Sequence, residues 1–138
     1  MSCSGGIFLA RTTKRFLFVQ RTQAKTMGTW AIVGGKSEEH DRCPIDTLTR
    51  EITEEVGLLP KIDKIIPLDH YTSIDKQFKY GTYIMIVEDE FIPELNGEHS
   101  SYAWCQYGCW PKPLHKGVKT TLSNRIVKTK LELILDLI

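Results

Sequence analysis

Long apolar runs are missing from this sequence. Stretches such as Tyr83 to Val87 and Leu133 to Leu135 fall far short of the roughly 18 residues that a membrane-spanning helix needs, so no membrane partner is expected. Charge of one sign is missing too. Across 138 residues, 18 Lys and Arg stand against 17 Asp and Glu, a formal net charge of +1, which argues against a chain committed to nucleic acid or to an anionic surface. The opening Met1-Ser2-Cys3-Ser4-Gly5-Gly6 lacks a basic segment followed by a long apolar one, so no secretory leader and a cytoplasmic location are expected. Cysteine is sparse. Cys3, Cys43, Cys105 and Cys109 are expected as free, buried thiols. Cys105 and Cys109 with His99 and His115 could be drawn as a metal site, but the spacing of the cysteine pair departs from the usual zinc modules.

What is present fits one globular domain over residues 1–138, with 41% hydrophobic and 25% charged residues and no repeat or linker. Ile7 to Ala10 and Phe16 to Gln20 read as two strands of an opening hairpin, joined by a polar turn. Thr29 to Val33 is a third strand-like run, expected to end in a turn at Gly34-Gly35. Then the period changes. Ile45, Leu48, Ile52 and Val56 recur at three and four residues, the spacing of one helix face. Pro44 suits the first helical position, Asp46 the positive end of the helix dipole and Gly57 the C-terminal cap, so a helix over Pro44 to Val56 is expected.

Beyond it, Ile62 to Leu68, Tyr71 to Ile74 and Phe78 to Val87 are rich in β-branched and aromatic residues and read as strands, with a turn at Asp75-Lys76. Glu88 to Gly97 reads as a loop, Tyr102 to Tyr107 as a strand, and Pro111 and Pro113 as a break. After Thr120 or Thr121 as a cap, Ile126, Val127, Leu131, Ile134, Leu135 and Ile138 predict a terminal amphipathic helix. Its apolar end, Leu133 to Ile138, needs cover from its own sheet or from a second subunit, so monomer and homodimer both stay open.

On the first helix Glu51, Glu54 and Glu55 lie at i, i+3 and i+4, so three carboxylates share one side of it. Left alone they repel one another. One reading is a solvated acidic face softened by Arg50, which precedes Glu54 by four residues. The other is a divalent metal site, because Mg²⁺ takes oxygen ligands and suits carboxylates on a rigid helix facing a phosphate chain.

Gly35, Asp41 and then Arg50-Glu51-Ile52-Thr53-Glu54-Glu55-Val56-Gly57-Leu58 resemble the Nudix box of the MutT-type hydrolases, G-x5-E-x7-R-E-U-x-E-E-x-G-U. The second half matches at every specified position. The first half departs twice: Asp41 replaces Glu, and eight residues, not seven, precede Arg50, which puts the extra residue in the Arg42-Cys43 approach. Phe16 to Arg21 and Trp30 to Lys36 are similar to the strands before the box, with Val33 where proline is frequent. Glu98-His99-Ser100-Ser101-Tyr102-Ala103-Trp104 resembles the Glu-His-x-x-Tyr-x-Trp segment of many members.

This resemblance implies a Nudix-type α/β/α sandwich with a mixed β-sheet, the box helix on one face and the terminal helix on the other. It implies hydrolysis of a nucleoside diphosphate linked to another group, with Mg²⁺ or Mn²⁺ as cofactor. Carried over residue by residue, Glu54 and Glu55 are first-choice metal ligands, with Glu51, Glu98 and a backbone carbonyl of Gly35 beside them. Arg50 orients a glutamate. The general base stays open among Glu51, Glu54 and Glu98. Arg21, Lys25 and Lys36 could meet phosphate oxygens or form a solvated basic loop. Tyr71, Phe78, Tyr80, Tyr83 and Trp104 could stack on a base but are expected in the core, and His99 is expected as a loop or packing residue. The substrate stays open among nucleoside triphosphates, nucleotide sugars and dinucleoside polyphosphates. A catalytically silent nucleotide sensor and an RNA 5'-end hydrolase are the other readings, the last disfavoured by the near-neutral charge.

Overall fold

The computed structural model describes residues 1–57 and 60–138, so Leu58, the last position of the box, lies outside the described residues. In chain order the elements are β1 (Ser2–Ala10), β2 (Arg15–Arg21), β3 (Trp30–Ala31), β4 (Val33–Lys36), α1 (Pro44–Val56), β5 (Lys64–Thr72), β6 (Lys79–Val87), β7 (His99–Gln106), α2 (Lys116–Ser123) and α3 (Arg125–Leu137). The strands form one mixed sheet. β1 runs parallel to β6 along its whole length and antiparallel to its partners on the other edge, β4 and β2.

That second edge is forked. Cys3 to Gly6 of β1 pair with β4, whereas Leu9 meets Phe16 of β2. β2 continues away with β7 on one side and β3 on the other. The chain crosses the fork at Ile32, between β3 and β4. Strand alternation assigns the two faces. Ile7 and Leu9 pack with Phe16, Phe18, Val118, Val127 and Leu131 under α2 and α3, while Phe8 and Ala10 pack with Leu17 and with Leu48, Ile52 and Val56 of α1. The sandwich arrangement implied by the resemblance is present, and each fully buried aliphatic side chain contributes about 1.5–3 kcal/mol to holding it.

α1 begins and ends as its sequence dictates. Pro44 takes the first turn, Asp46 accepts the Arg42 backbone N–H at 3.0 Å, and Gly57 closes the helix at φ +85° with its N–H on the Thr53 carbonyl. Five expectations need correction. Gly34 and Gly35 make no turn: they are extended residues of β4, opposite Gly5 and Ser4 of β1. Lys64–Thr72 is one continuous strand, because β6 offers it a full-length partner, and Ile74 sits exposed in the turn that follows. Neither Thr120 nor Thr121 caps the terminal helix. Both lie inside α2, and Asn124 caps α3 by accepting the N–H groups of Ile126 and Val127. The thiols are not uniformly buried either: Cys43 and Cys109 are exposed, and Cys3 and Cys105 partly so. At the start of α1, Ile45 is exposed where an apolar stripe was expected, and Thr47 is buried beside it.

Candidate active site

The three helix carboxylates do not share one environment. Glu55, which follows Glu54, points inward and is 3% exposed, whereas the Glu54 side chain is 51% exposed and that of Glu51 13%. Arg50 gathers the outer acids. Its Nη1 lies 3.1 Å from Glu51, 3.3 Å from Glu54 and 3.3 Å from Glu38, and its Nη2 donates to Asp41 at 3.0 Å and to the Lys36 carbonyl at 2.8 Å.

The longer loop before α1 thus delivers Asp41 to Arg50. Asp41 also accepts from the Glu38 N–H at 2.9 Å and the Thr47 hydroxyl at 3.0 Å. The guanidinium, with those two donors, holds the Asp41 carboxyl well below the ordinary carboxylate range, and Asp41 in turn raises Arg50.

Among the described residues Glu55 has no such partner. Its Oε2 accepts the Gly34 N–H at 2.8 Å, and its Oε1 lies 3.9 Å from His99 Nε2. Burial pushes the Glu55 carboxyl up to about 8; the Gly34 N–H opposes this, and the charges of Glu51 and Glu98 add to it. Burial pushes His99 down to about 4, so the imidazole is uncharged and its approach to Glu55 is not an ion pair. Its Nδ1 is buried without a hydrogen-bond partner among the described residues. Glu55, Glu98 and His99 each bring one ligating atom within 4.8 Å of the others.

Glu98 comes from a turn anchored at both ends. Asn96 donates from its side chain to the Glu54 carbonyl at 2.8 Å, and its Oδ1 accepts the Glu98 N–H at 2.9 Å. The Thr22 N–H, just past β2, donates to the Glu98 carbonyl at 3.0 Å. Asn96 and Thr22 carry no signal in the sequence that marks them for this work. For His99 the Glu-His segment was the available signal, and the ring is indeed packed, but within the acidic group.

These groups open on a cleft of about 310 Å³ at the fork of the sheet. Glu51, Glu55, Glu98 and His99 line it, together with Arg21 and Lys36. Gly35 approaches Glu51 so closely that a Cβ there would lie 2.3 Å from Glu51 Oε1. Glu54 and Lys25 are not on the lining. Of the aromatic candidates Tyr80 lines the cleft, its buried phenol pushed up to about 12, while Trp104 packs edge-on against Phe91 in the core and Tyr71 is exposed. Among the described residues the cysteines join no ligating group of three.

Does this donor set fit a divalent ion? The carboxylates are hard oxygen donors, and a buried one facing two others, with no Lys or Arg at ion-pair distance among the described residues, is a cost that a cation would relieve. It fits.

The mixed sheet with its three helices matches the fold of solved Nudix hydrolases. The chain belongs to that family: the NUDIX domain matches residues 4–121. Among solved structures of similar fold, the Nudix hydrolase RenU from M. smegmatis is 20% identical with a TM-score of 0.75, covering 94% of this chain and 84% of its own. The MutT NUDIX hydrolase from Burkholderia pseudomallei is 20% identical with a TM-score of 0.68, covering 90% and 96%. The NUDIX domain of Shewanella oneidensis NrtR, solved in complex with ADP ribose, is 17% identical with a TM-score of 0.70, covering 95% and 88%. No curated protein matches the sequence. No helix among the described residues is long and apolar enough to cross a membrane.

Proposed function

We propose that this chain, as one domain over residues 1–138, is a Mg²⁺- or Mn²⁺-dependent pyrophosphatase that cleaves the diphosphate linkage of a nucleoside diphosphate joined to another group. The observation that carries this reading is the buried, uncompensated Glu55, set beside Glu51 and Glu98 on a cleft that Arg21 and Lys36 also line. In this reading Glu51, Glu55, Glu98 and the Gly35 carbonyl hold the metal, with Glu54 supporting it from the exposed edge. The ion, when bound, offsets the charge of the diphosphate and acidifies water.

The remaining work falls to the chain's own residues. Arg50 fixes Glu51 and Glu54, so the carboxylates are preorganised before substrate arrives. Glu98, exposed and held at both ends of its turn, takes the proton of the attacking water. As water adds at phosphorus the bond to the leaving phosphate oxygen breaks, and Arg21 and Lys36 face the charge left on it.

A nucleotide panel tests this, with nucleoside triphosphates, nucleotide sugars, dinucleoside polyphosphates and 5'-triphosphate RNA. The expected result is release of a nucleoside monophosphate or of pyrophosphate from at least one of the small nucleotides, with Mg²⁺ or Mn²⁺ and not with EDTA. Tight binding without turnover across the panel would establish a silent sensor instead, and turnover unaffected by EDTA would remove the metal from the reading.

A further inference from the structure

Among the described residues nothing hydrogen-bonds the buried Nδ1 of His99. The side chain is 3% exposed, and its Nε2 stands 3.9 Å from Glu55 Oε1, beyond hydrogen-bonding distance. A buried polar atom left this way costs roughly 1–3 kcal/mol. Packing alone does not explain why a histidine occupies the position, since an apolar side chain of similar volume would avoid the cost. The ring is also aimed: one of its nitrogens lies within 4.8 Å of a carboxylate oxygen of Glu55 and of one of Glu98, a separation at which a single ion can touch all three.

β7 fixes the ring there. His99 opens that strand opposite Arg21 of β2, and the shift in register between Gln20 and Arg21 falls at this point. Glu98, one residue earlier, is tied by Asn96 and Thr22, so the two neighbouring side chains reach the same place from the turn and from the strand.

We propose that His99 is a metal ligand of this chain, adding an imidazole nitrogen to the carboxylates of Glu55 and Glu98, and that the site therefore takes Mn²⁺ or a later transition ion in preference to Mg²⁺. The proposal rests on the metal site read above and names its selectivity. Mg²⁺ demands oxygen ligands, holds its waters and gains little from imidazole, whereas affinity for nitrogen rises along the series from Mn²⁺ toward Zn²⁺. Replacing one carboxylate by a neutral ring also lowers the charge of the cage, which weakens it most for the hardest ion.

The test is pulsed EPR on the full chain loaded with Mn²⁺, with binding of Mn²⁺ and Mg²⁺ measured in competition. The wild-type protein is expected to show ¹⁴N coupling from a directly bound imidazole, replaced by ¹⁵N coupling when histidine is ¹⁵N-labelled. His99→Gln should abolish it and lower Mn²⁺ affinity about tenfold or more, with Mg²⁺ affinity changing less than about threefold. His115→Gln, on the same cleft, should leave both unchanged. Bound Mn²⁺ without nitrogen coupling in the wild-type protein overturns the proposal and leaves the carboxylate site standing, and so does an equal fall in both affinities. No Mn²⁺ bound, or Mn²⁺ bound equally well by Glu55→Gln, overturns the metal site itself and His99 with it. The wild-type spectrum decides the matter even if His99→Gln does not fold.

Discussion

Two sets of carboxylates flank α1, and they are treated oppositely. On the outer side Glu38, Asp41, Glu51 and Glu54 surround the single guanidinium of Arg50. On the inner side Glu55 and Glu98 meet an uncharged imidazole and, among the described residues, no Lys or Arg at ion-pair distance. Nothing in residue type distinguishes the sets. The difference is where the compensating charge comes from: the outer set carries its own cation in Arg50, while among the described residues the inner set has no such cation, which is why the proposed metal is placed there. Glu51 belongs to both, since it meets Arg50 and also lines the cleft.

The largest expected effect tests that division directly. Glu55→Gln keeps an oxygen for the Gly34 N–H and removes the carboxylate that the proposed metal would take, so hydrolysis should fall on the order of a thousandfold, the several kcal/mol that metal assistance supplies. Its thermal midpoint should hold. Arg50→Met should do the reverse in kind, lowering the thermal midpoint more than Arg42→Met does, because the exposed Arg42 side chain pairs, among the described residues, with Asp46 alone. Assays of both variants beside melting curves break the comparison if Glu55→Gln unfolds the protein while its turnover survives.

The paired glycines sharpen it next. A Cβ on Gly34 would lie 2.3 Å from the Ser4 carbonyl oxygen and 2.6 Å from Gly5 Cα, backbone atoms of the adjoining strand that cannot yield without parting β1 from β4. Gly34→Ala should cost on the order of 3 kcal/mol in urea unfolding. A Cβ on Gly35 meets instead the end of the Glu51 side chain, which can move. Gly35→Ala should therefore stay folded within about 1 kcal/mol and lose roughly tenfold in activity through the displaced carboxylate. Equal destabilisation by the two would place both glycines in the fold alone.

Those glycines also show where sequence reading succeeds and where it stops. Helix α1 was legible because its signals are local: three- and four-residue spacing, Pro44 at the start, Gly57 at the end. Gly34 and Gly35 were misread as a turn because local chemistry cannot tell a glycine needed for positive φ from one needed because another strand passes close, and only the pairing with Ser4 and Gly5 decides. The same limit explains the thiols, whose exposure depends on which element covers them. At the site, the box named the acids but not their partners. That Asp41 turns to Arg50, that Glu54 stays outside the cleft lining and that His99 turns toward Glu55 are facts about residues distant in the chain.

In the absence of metal, the inner set should also make stability depend on pH, and the sign can be worked out. Glu55 titrates near 4.5 in an unfolded chain and about 8 in the folded one, so the folded state holds the extra proton and loses stability as pH rises through that window. His99 titrates near 6.5 unfolded and about 4 folded, so below 6.5 its contribution rises with pH and opposes that of Glu55. The two oppose each other from about 4.5 to 6.5, and above that the contribution of Glu55, set amid Glu51, Glu98, Arg21 and Tyr80, is no longer offset by His99. Unfolding free energy in EDTA should fall by about 2 kcal/mol between pH 6.5 and 8, and Glu55→Gln should flatten the decline. A slope that persists in the variant belongs to some other group.

The smallest effect concerns how the inner set is held. Asn96 spans the final turn of α1 and the Glu98 turn with one side chain, donating to the Glu54 carbonyl and accepting from the Glu98 N–H. Asn96→Ala should cost about 1 kcal/mol in stability and lower turnover a few-fold, since Glu98 keeps its second tether at Thr22. Thr22→Val removes the hydroxyl bond to the Gly97 carbonyl and spares the backbone one to Glu98, so alone it should do less. If the two residues hold one turn, the double variant should lose more turnover than the product of the single losses, because either anchor suffices while the other remains. Simple multiplicativity would mean that Glu98 is placed by the backbone of the turn, and that Asn96 serves only to close the end of the helix.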